Sequence, residues 1–188
     1  LEVLIAPDFE AEALTILEGK KNRILLRQKE AIDARWSYRS MLGGVLAQET
    51  DRAVETTAEM KPVTKVAPTA EELTDLVFAT KLVKHSKSNA IVLSKGGQLI
   101  ASGVGQTSRV DALKQAIEKA RHFGFDLKGA VLASDAFFPF DDCVTLAAEA
   151  GITAIAQPGG SVRDADSIAA ADRLGVAMVM TGVRHFKH

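Results

Sequence analysis

The chain has 188 residues, a length that suits one domain or two small lobes. Its 23 basic and 24 acidic residues nearly balance, so no overall field favours nucleic acid or a membrane surface as a partner. The single cysteine, Cys143, excludes an internal disulfide framework and any multi-cysteine zinc site. With no membrane-length apolar run and no recognisable secretion leader, we expect a cytoplasmic protein.

The first 62 residues predict a smaller α+β lobe. A strand is expected over residues 1–6, a helix capped by Asp8 follows, and a second strand is expected near residues 24–26. The glycine pair Gly43-Gly44 separates two partly apolar runs and predicts a hairpin or a bulge. Because the chain begins at Leu1 inside an apolar run, we expect it to be a piece of a longer protein.

Residues 63–188 predict a second lobe, with the boundary placed in a polar stretch that contains Pro62. Thr69 and Glu72 match a capping box at the start of a helix, and Gly96-Gly97 predicts a tight turn between two strands. After Ser108, helices and strands alternate, which implies crossover connections and a three-layer α/β/α lobe. The predicted elements are a helix from 109, a strand over 130–133, a helix over 141–150, a strand over 152–156, a helix over 165–174 and a strand over 176–180.

Three of the predicted strand ends carry unusual polar or aromatic clusters. Their sequences are SDAFFPF at residues 134–140, QPGGSVRD at 157–164 and TGVRHFKH at 181–188. In an open parallel sheet the carboxyl ends of such strands converge on one ligand crevice. We therefore expect the functional site at this edge of the sheet.

These three strings resemble the C-terminal part of the 5-aminoimidazole-4-carboxamide ribonucleotide (AICAR) formyltransferase domain of bifunctional purine biosynthesis enzymes. The resemblance covers almost the whole chain, from residue 6 to residue 188. It implies an α/β fold with a cytidine-deaminase-like second lobe and formyl transfer from 10-formyltetrahydrofolate to AICAR. It also implies a homodimer and a separate IMP cyclohydrolase domain in the full-length protein.

The cytidine-deaminase-like fold does not bring deaminase chemistry with it. A zinc deaminase needs the strings His-x-Glu and Pro-Cys-x-x-Cys to hold the metal and move protons. Neither string occurs in this sequence. We therefore predict no catalytic metal site.

The resemblance implies that AICAR contacts four residues of this chain. Asn89 offers an amide that can pair with a carboxamide, and Phe137 offers a flat ring for the imidazole. Arg109 and Arg184 offer guanidinium forks for phosphate or carboxamide oxygens. From the sequence alone, Asn89 equally suits a turn, the arginines suit a solvated surface, and at least one residue of the Phe cluster suits the core.

For the folate, the resemblance implies contacts from Val110, Asp142, Ser161 and Val162. Asp142 corresponds to a carboxylate that accepts hydrogen bonds from the aminopyrimidine end of the folate. Taken alone, Asp142 is an acid favoured in the first turn of a helix. The glycines before Ser161 equally suit an ordinary turn between a strand and a helix.

No catalytic residue is predicted within this chain. The catalytic lysine and histidine of the family belong to the preceding half of the domain, and Lys84-His85 only echoes that pair. The terminal residues His185, Lys187 and His188 are expected to form a mobile, solvated end.

The resemblance also implies a structural monovalent cation, which some family members hold at the positions of Asp135 and the backbone near Ser86. The alternative to a formyltransferase fragment is a non-catalytic α/β module that binds a nucleotide or a metabolite. That alternative explains the missing catalytic pair without assuming a longer protein.

Overall fold

A computed structural model describes residues 2–30 and 34–187 and divides the chain into two compact units, Leu1–Asp51 and Arg52–His188. The division lies before the predicted boundary after residue 62. The reason is β5 (Lys61–Pro62), which pairs with the last strand of the second unit. No helix of the described residues is both long enough and apolar enough to cross a membrane.

The first unit combines a βαβ element with a hairpin. Strands β1 (Val3–Ala6) and β2 (Ile24–Arg27) pair in parallel, and helix α1 (Ala11–Leu17) connects them. Strands β3 (Trp36–Met41) and β4 (Gly44–Glu49) form the antiparallel hairpin predicted from the glycine pair. The prediction that Asp8 caps α1 is wrong, because the helix begins after Glu10 and the Asp8 carboxylate accepts a hydrogen bond from the Phe9 amide. Leu1, the start of the predicted strand, lies outside the described residues.

One face of the parallel pair is bare. Val3 lies opposite Ile24 and Ile5 lies opposite Leu26, so four aliphatic side chains share that face in register. Their exposed fractions range from 46% to 66%. Parallel strands are normally covered on both faces, so this aliphatic surface is one that further protein would be expected to bury.

The second unit is built on a six-stranded mixed sheet in the order β5-β10-β9-β8-β6-β7. Strands β8, β9 and β10 run parallel, whereas β6 is antiparallel to both β7 and β8. The further elements are α2 (Ala70–Lys84), β6 (Ile91–Lys95), β7 (Gln98–Gly103), α3 (Arg109–His122), β8 (Val131–Ser134), α4 (Asp142–Ala150), β9 (Ala154–Gln157), α5 (Asp164–Leu174) and β10 (Ala177–Met180).

Helices cover both faces of this sheet, which gives the predicted three-layer α/β/α architecture. On β8, Val131 and Ala133 belong to the buried cluster of α2, whereas Leu132 belongs to the buried cluster that includes α3, α4 and α5. This alternation follows from the two-residue period of a strand. The capping box that starts α2 is also confirmed, since Thr69 and Glu72 exchange side chain to backbone hydrogen bonds.

Helix α3 approaches β7 closely at Gly103. A Cβ atom built on Gly103 would overlap the backbone carbonyl of Ala112. The absence of a side chain at residue 103 therefore sets how near α3 lies to the sheet. Arg109 is the first residue of α3, and Ser108 caps the helix by accepting a hydrogen bond from the Asp111 amide.

Candidate functional site

The carboxyl ends of β8, β9 and β10 lie side by side at one edge of the sheet. The three strands are adjacent and parallel, with Ala133 paired to Ala156 and Val179 paired to the same residue on the other side. The segments that follow these strands contain the three clusters singled out in the sequence. The predicted convergence of these strand ends is therefore present.

A surface cavity of about 340 Å³ lies at this edge. It brings together Asn89, Arg109 and Phe137, three of the four residues predicted to contact AICAR. The volume falls in the lower part of the range that small-molecule sites occupy, roughly 300 to 1,000 Å³. The remaining lining residues are Thr107, Ser108, Ala136, Pro139 and Phe186.

The Arg109 side chain is almost buried and holds the wall of the cavity together. Its Nε donates a hydrogen bond to the Phe137 carbonyl at 3.1 Å, and its Nη2 donates to the Asn89 Oδ1 at 3.1 Å. Its Nη1 lies 3.0 Å from Oδ1 of Asp135. Burial lowers the pKa of the Arg109 guanidinium, and the charge of Asp135 opposes that change. The group stays cationic because an arginine does not lose its proton in a protein.

Asn89 accepts one of the Arg109 hydrogen bonds and is held by two more of its own. Its Nδ2 donates hydrogen bonds to the carbonyls of Gln106 and Thr107 at 3.1 and 3.3 Å. Its Oδ1 accepts from Arg109 and keeps a second lone pair. The amide is thus held in one orientation before any ligand arrives.

The three phenylalanines of the SDAFFPF cluster lie in different environments. Phe138 is fully buried, and its amide donates a hydrogen bond to Oε1 of Gln157, so the expectation of one core residue is confirmed. Phe137 is partly exposed and lines the cavity. Phe140 is half exposed, and the Arg163 guanidinium lies over its ring, with Cζ 5.0 Å from the ring centroid.

Arg184, the fourth residue predicted for AICAR, does not itself line the cavity. Its side chain is exposed, and its Cζ lies 4.7 Å from the centroid of the Phe186 ring. Phe186 lines the cavity, so this cation–π contact joins Arg184 to one of the lining residues.

Of the four residues predicted for the folate, Asp142 and Val162 are exposed, whereas Val110 and Ser161 are partly buried. Asp142 is the first residue of α4, and its Oδ1 accepts a hydrogen bond from the Cys143 amide at 2.7 Å. Ser161 accepts one from the Arg163 amide, and the side chain of Val162 is fully exposed. Val110 follows Arg109 in α3 and is partly buried. Asp142, Ser161 and Val162 follow β8 and β9, so they lie at the same edge of the sheet as the cavity.

The expectation of a solvated terminal end is wrong for His185. Only 2% of its surface is exposed, and its Nε2 lies 3.0 Å from Oε2 of Glu55. The Lys187 side chain is exposed, but its backbone exchanges hydrogen bonds with Ser88. His188 lies outside the described residues. Glu55 was missed in the sequence because it lies in a polar stretch that predicts only a boundary.

Lys84 and His85 lie at the end of α2, and the Lys84 Nζ donates to the Ala53 carbonyl at 2.6 Å. This contact ties Lys84 to the segment before β5, and no catalytic role is assigned to the pair. Asp135 is fully buried: its Oδ1 faces Nη1 of Arg109 as an ion pair, and its Oδ2 has no hydrogen-bond partner among the described residues. A buried carboxylate in that state suits a bound cation, so Asp135 fits the implied monovalent ion. Within residues 2–30 and 34–187, no group of three or more His, Cys, Asp or Glu side chains could hold a metal.

A family model described as "AICARFT/IMPCHase bienzyme" matches residues 1–119. The bifunctional purine biosynthesis protein PurH of Bacteroides thetaiotaomicron is 63% identical over 187 residues, covering 100% of this chain and 37% of the relative. The protein of the same name from Aquifex aeolicus is 52% identical over 191 residues, with 100% and 37% covered. The chain thus spans about 37% of the length of these curated relatives.

Two solved structures show a partial likeness to this chain. A Thermotoga maritima diaminohydroxyphosphoribosylaminopyrimidine deaminase/5-amino-6-(5-phosphoribosylamino)uracil reductase has a TM-score of 0.41 and 24% identity, covering 57% of this chain and 34% of that one. The dCMP deaminase of cyanophage S-TIM5, in complex with dCMP and dUMP, has a TM-score of 0.38 and 20% identity, covering 47% and 77%. These neighbours carry no argument about the chemistry of this chain.

Proposed function

The chain belongs to the AICARFT/IMPCHase bienzyme family, and on that basis we propose that it is the C-terminal part of the AICAR formyltransferase domain. The full-length protein transfers a formyl group from 10-formyltetrahydrofolate to the 5-amino group of AICAR in purine biosynthesis. It also carries the IMP cyclohydrolase activity of a bifunctional enzyme. This chain contributes most of the AICAR site and part of the folate site.

The roles that catalysis requires fall partly in this chain and partly in the rest of the protein. The 5-amino group of AICAR is a poor nucleophile, because its lone pair is delocalised into the ring and the carboxamide. Catalysis therefore needs an oriented amine, a base for its proton and stabilisation of the oxyanion on the formyl carbon. The first task falls to this chain, and the lysine and histidine for the other two lie in the preceding half of the domain.

The single observation that carries the proposal is the cavity shared by Asn89, Arg109 and Phe137. These residues come from separate segments and combine an oriented amide, a buried cation and a flat ring. The Phe137 ring offers stacking to the imidazole, and the free lone pair of Asn89 Oδ1 offers an acceptor to the carboxamide. The exposed guanidinium of Arg184 supplies a fork for phosphate or carboxamide oxygens.

The folate is proposed to bind along the same edge, against Asp142, Ser161, Val162 and Val110. The exposure of Asp142 and Val162 supports this, because a ligand or a further part of the protein can still cover them. The ionised carboxylate of Asp142 accepts hydrogen bonds, as recognition of an aminopyrimidine requires.

Asp135 and the backbone beside Ser86 would hold the structural monovalent cation. The ion would supply positive charge to a carboxylate that only Arg109 faces as an ion pair among the described residues.

We further propose a cytoplasmic homodimer for the full-length enzyme. The exposed aliphatic face of β1 and β2 supports this proposal, because such a face favours burial against further protein, either the rest of the full-length chain or a second copy.

The test measures AICAR binding by calorimetry to the full-length protein that contains this chain, together with its formyl transfer activity. Phe137→Ala should weaken AICAR binding about tenfold, since it removes the stacking ring. Phe123→Ala is the matched control, because that ring is exposed at the end of α3 and should not affect binding.

The isolated 188-residue chain should show no formyl transfer, because the proton-transfer groups lie outside it. Activity of the purified chain alone would contradict this division of roles. AICAR binding by the full-length protein without any formyl transfer would favour the non-catalytic binding module.

A further inference from the structure

We propose that His185 and Glu55 form a buried pair that positions the nucleotide end of the site, and that His185 is a positioning residue for AICAR. The inference rests on the proposed function. The Nε2 of His185 and Oε2 of Glu55 are 3.0 Å apart, and each residue is only 2% to 3% exposed. The pair joins segments 130 residues apart in sequence.

Glu55 depends on His185 for its hydrogen bond. Glu55 uses Oε2 for His185, and its Oε1 is buried without a hydrogen-bond partner in the described part of the chain. A buried carboxylate that loses its partner is strongly destabilised, because the charge is then neither hydrated nor compensated. The pair therefore fixes the terminal segment to the residues before β5 in a single arrangement.

The position of the cavity wall follows from that of His185. The His185 amide donates a hydrogen bond to the Asp135 carbonyl at 2.9 Å, and Asp135 pairs with Arg109. On either side of His185 in sequence are Arg184 and Phe186, which contact each other. Because Phe186 lines the cavity, a shift of the His185 backbone would move a wall of the AICAR site.

The far end of this segment is held independently. The Ser88 amide donates to the Lys187 carbonyl at 2.9 Å, and the Lys187 amide donates to Ser88 Oγ at 3.0 Å. Phe186 thus lies between two anchors, the His185 pair and the Ser88 pair. Loss of the first anchor should displace Arg184 and Phe186 while the second keeps the segment attached. We therefore expect a defect in AICAR binding, with folate contacts from α4 and the loop after β9 preserved.

The experiment uses the full-length protein that contains this chain and measures AICAR and folate affinity by calorimetry, with a thermal melt. Glu55→Ala should raise the dissociation constant of AICAR about tenfold, which corresponds to about 1.4 kcal/mol. Glu55→Gln keeps the volume and a hydrogen bond, so it should restore most of the affinity and leave about a threefold loss. Folate affinity should stay at the wild-type value in both.

Glu59→Ala is the matched control. Glu59 lies on the same segment, is exposed, and contacts Thr56. AICAR affinity should be unchanged in this variant. The double variant Glu55→Ala/His185→Ala should lose no more affinity than the more affected single variant, because each single change already breaks the pair.

The outcomes separate this inference from the proposed function. A wild-type protein that does not bind AICAR would overturn the proposed function itself. Wild-type binding that Glu55→Ala leaves unchanged would overturn the positioning role alone. Equal losses for AICAR and folate would also overturn it, since they indicate general destabilisation. If Glu55→Ala does not fold, Glu55→Gln decides, and AICAR affinity in Glu55→Gln identical to that of wild type and of Glu59→Ala would overturn the positioning role.

Discussion

The Nη1 atom of Arg109 lies 3.0 Å from Oδ1 of Asp135, with 6% and 0% of the two side chains exposed. The same guanidinium orients Asn89 and holds the Phe137 carbonyl. Stability of the second unit and orientation of the candidate site therefore depend on one set of contacts.

Arg109→Met should lower the free energy of unfolding of the second unit by about 3 to 5 kcal/mol. The reason is that Asp135 would remain buried as an uncompensated charge. Urea denaturation of the 188-residue chain measures this loss. Adding Asp135→Asn should recover part of it, and strictly additive losses in the double-mutant cycle would contradict a direct coupling of the two side chains.

Arg184→Lys should weaken AICAR binding to the full-length protein about tenfold, about 1.4 kcal/mol, because an ammonium cannot form a two-pronged contact. The melting temperature should stay unchanged, since the Arg184 side chain is exposed. Calorimetric titration and a thermal melt measure the two quantities. Unchanged affinity would leave Arg184 as a surface residue, and a large fall in melting temperature would make it structural.

Asp142→Asn should reduce folate affinity about tenfold and leave AICAR affinity unchanged, since the carboxylate is proposed to face only the aminopyrimidine. Stability should change little, because the side chain is exposed. Glu149→Gln, an exposed change at the other end of α4, is the control in the same titrations. Equal losses for both ligands would argue against separate roles.

Cys143 should resist alkylation by iodoacetamide at pH 8 in the folded chain and react once urea unfolds it. Burial raises the pKa of its thiol to about 12, with the charge of Asp142 acting in the same direction. The folded state keeps a proton that the unfolded state releases, so stability should fall as pH rises from about 9 towards 12. Unfolding curves at pH 8 and pH 10 should show a larger loss for wild type than for Cys143→Ala. Rapid alkylation of the thiol in the folded chain would contradict the buried position of Cys143 and the raised pKa of its thiol.

The sequence pattern predicted the layers of the second unit because helices and strands there alternate with clear turn and cap residues. Thr69, Ser108 and the apolar strands each carry a local signal. No local sequence signal marks the boundary between the two units. Strand β5 is only two residues long, and it pairs with β10, which lies at the other end of the second unit's sequence. In the sequence, Pro62 indicates the end of a strand and not a strand residue.

The candidate site shows the same limit. The resemblance singled out Asn89, Arg109 and Phe137, but no local pattern tells that Arg109 is buried, because arginine is normally exposed. Its burial depends on Asp135, which only the sheet brings near. The buried state of His185 likewise depends on Glu55, whose polar neighbours in sequence give no sign of a partner.

The close approach of α3 to β7 requires glycine at residue 103, so the position of Arg109 in the site depends on the missing side chain there. A methyl group there could not be accommodated by rotating a side chain, because it would meet the rigid backbone of Ala112. Helix α3 would have to move away from β7, and Arg109 at its first turn would move with it. A Gly103→Ala substitution would then impair ligand recognition although Gly103 itself does not line the cavity.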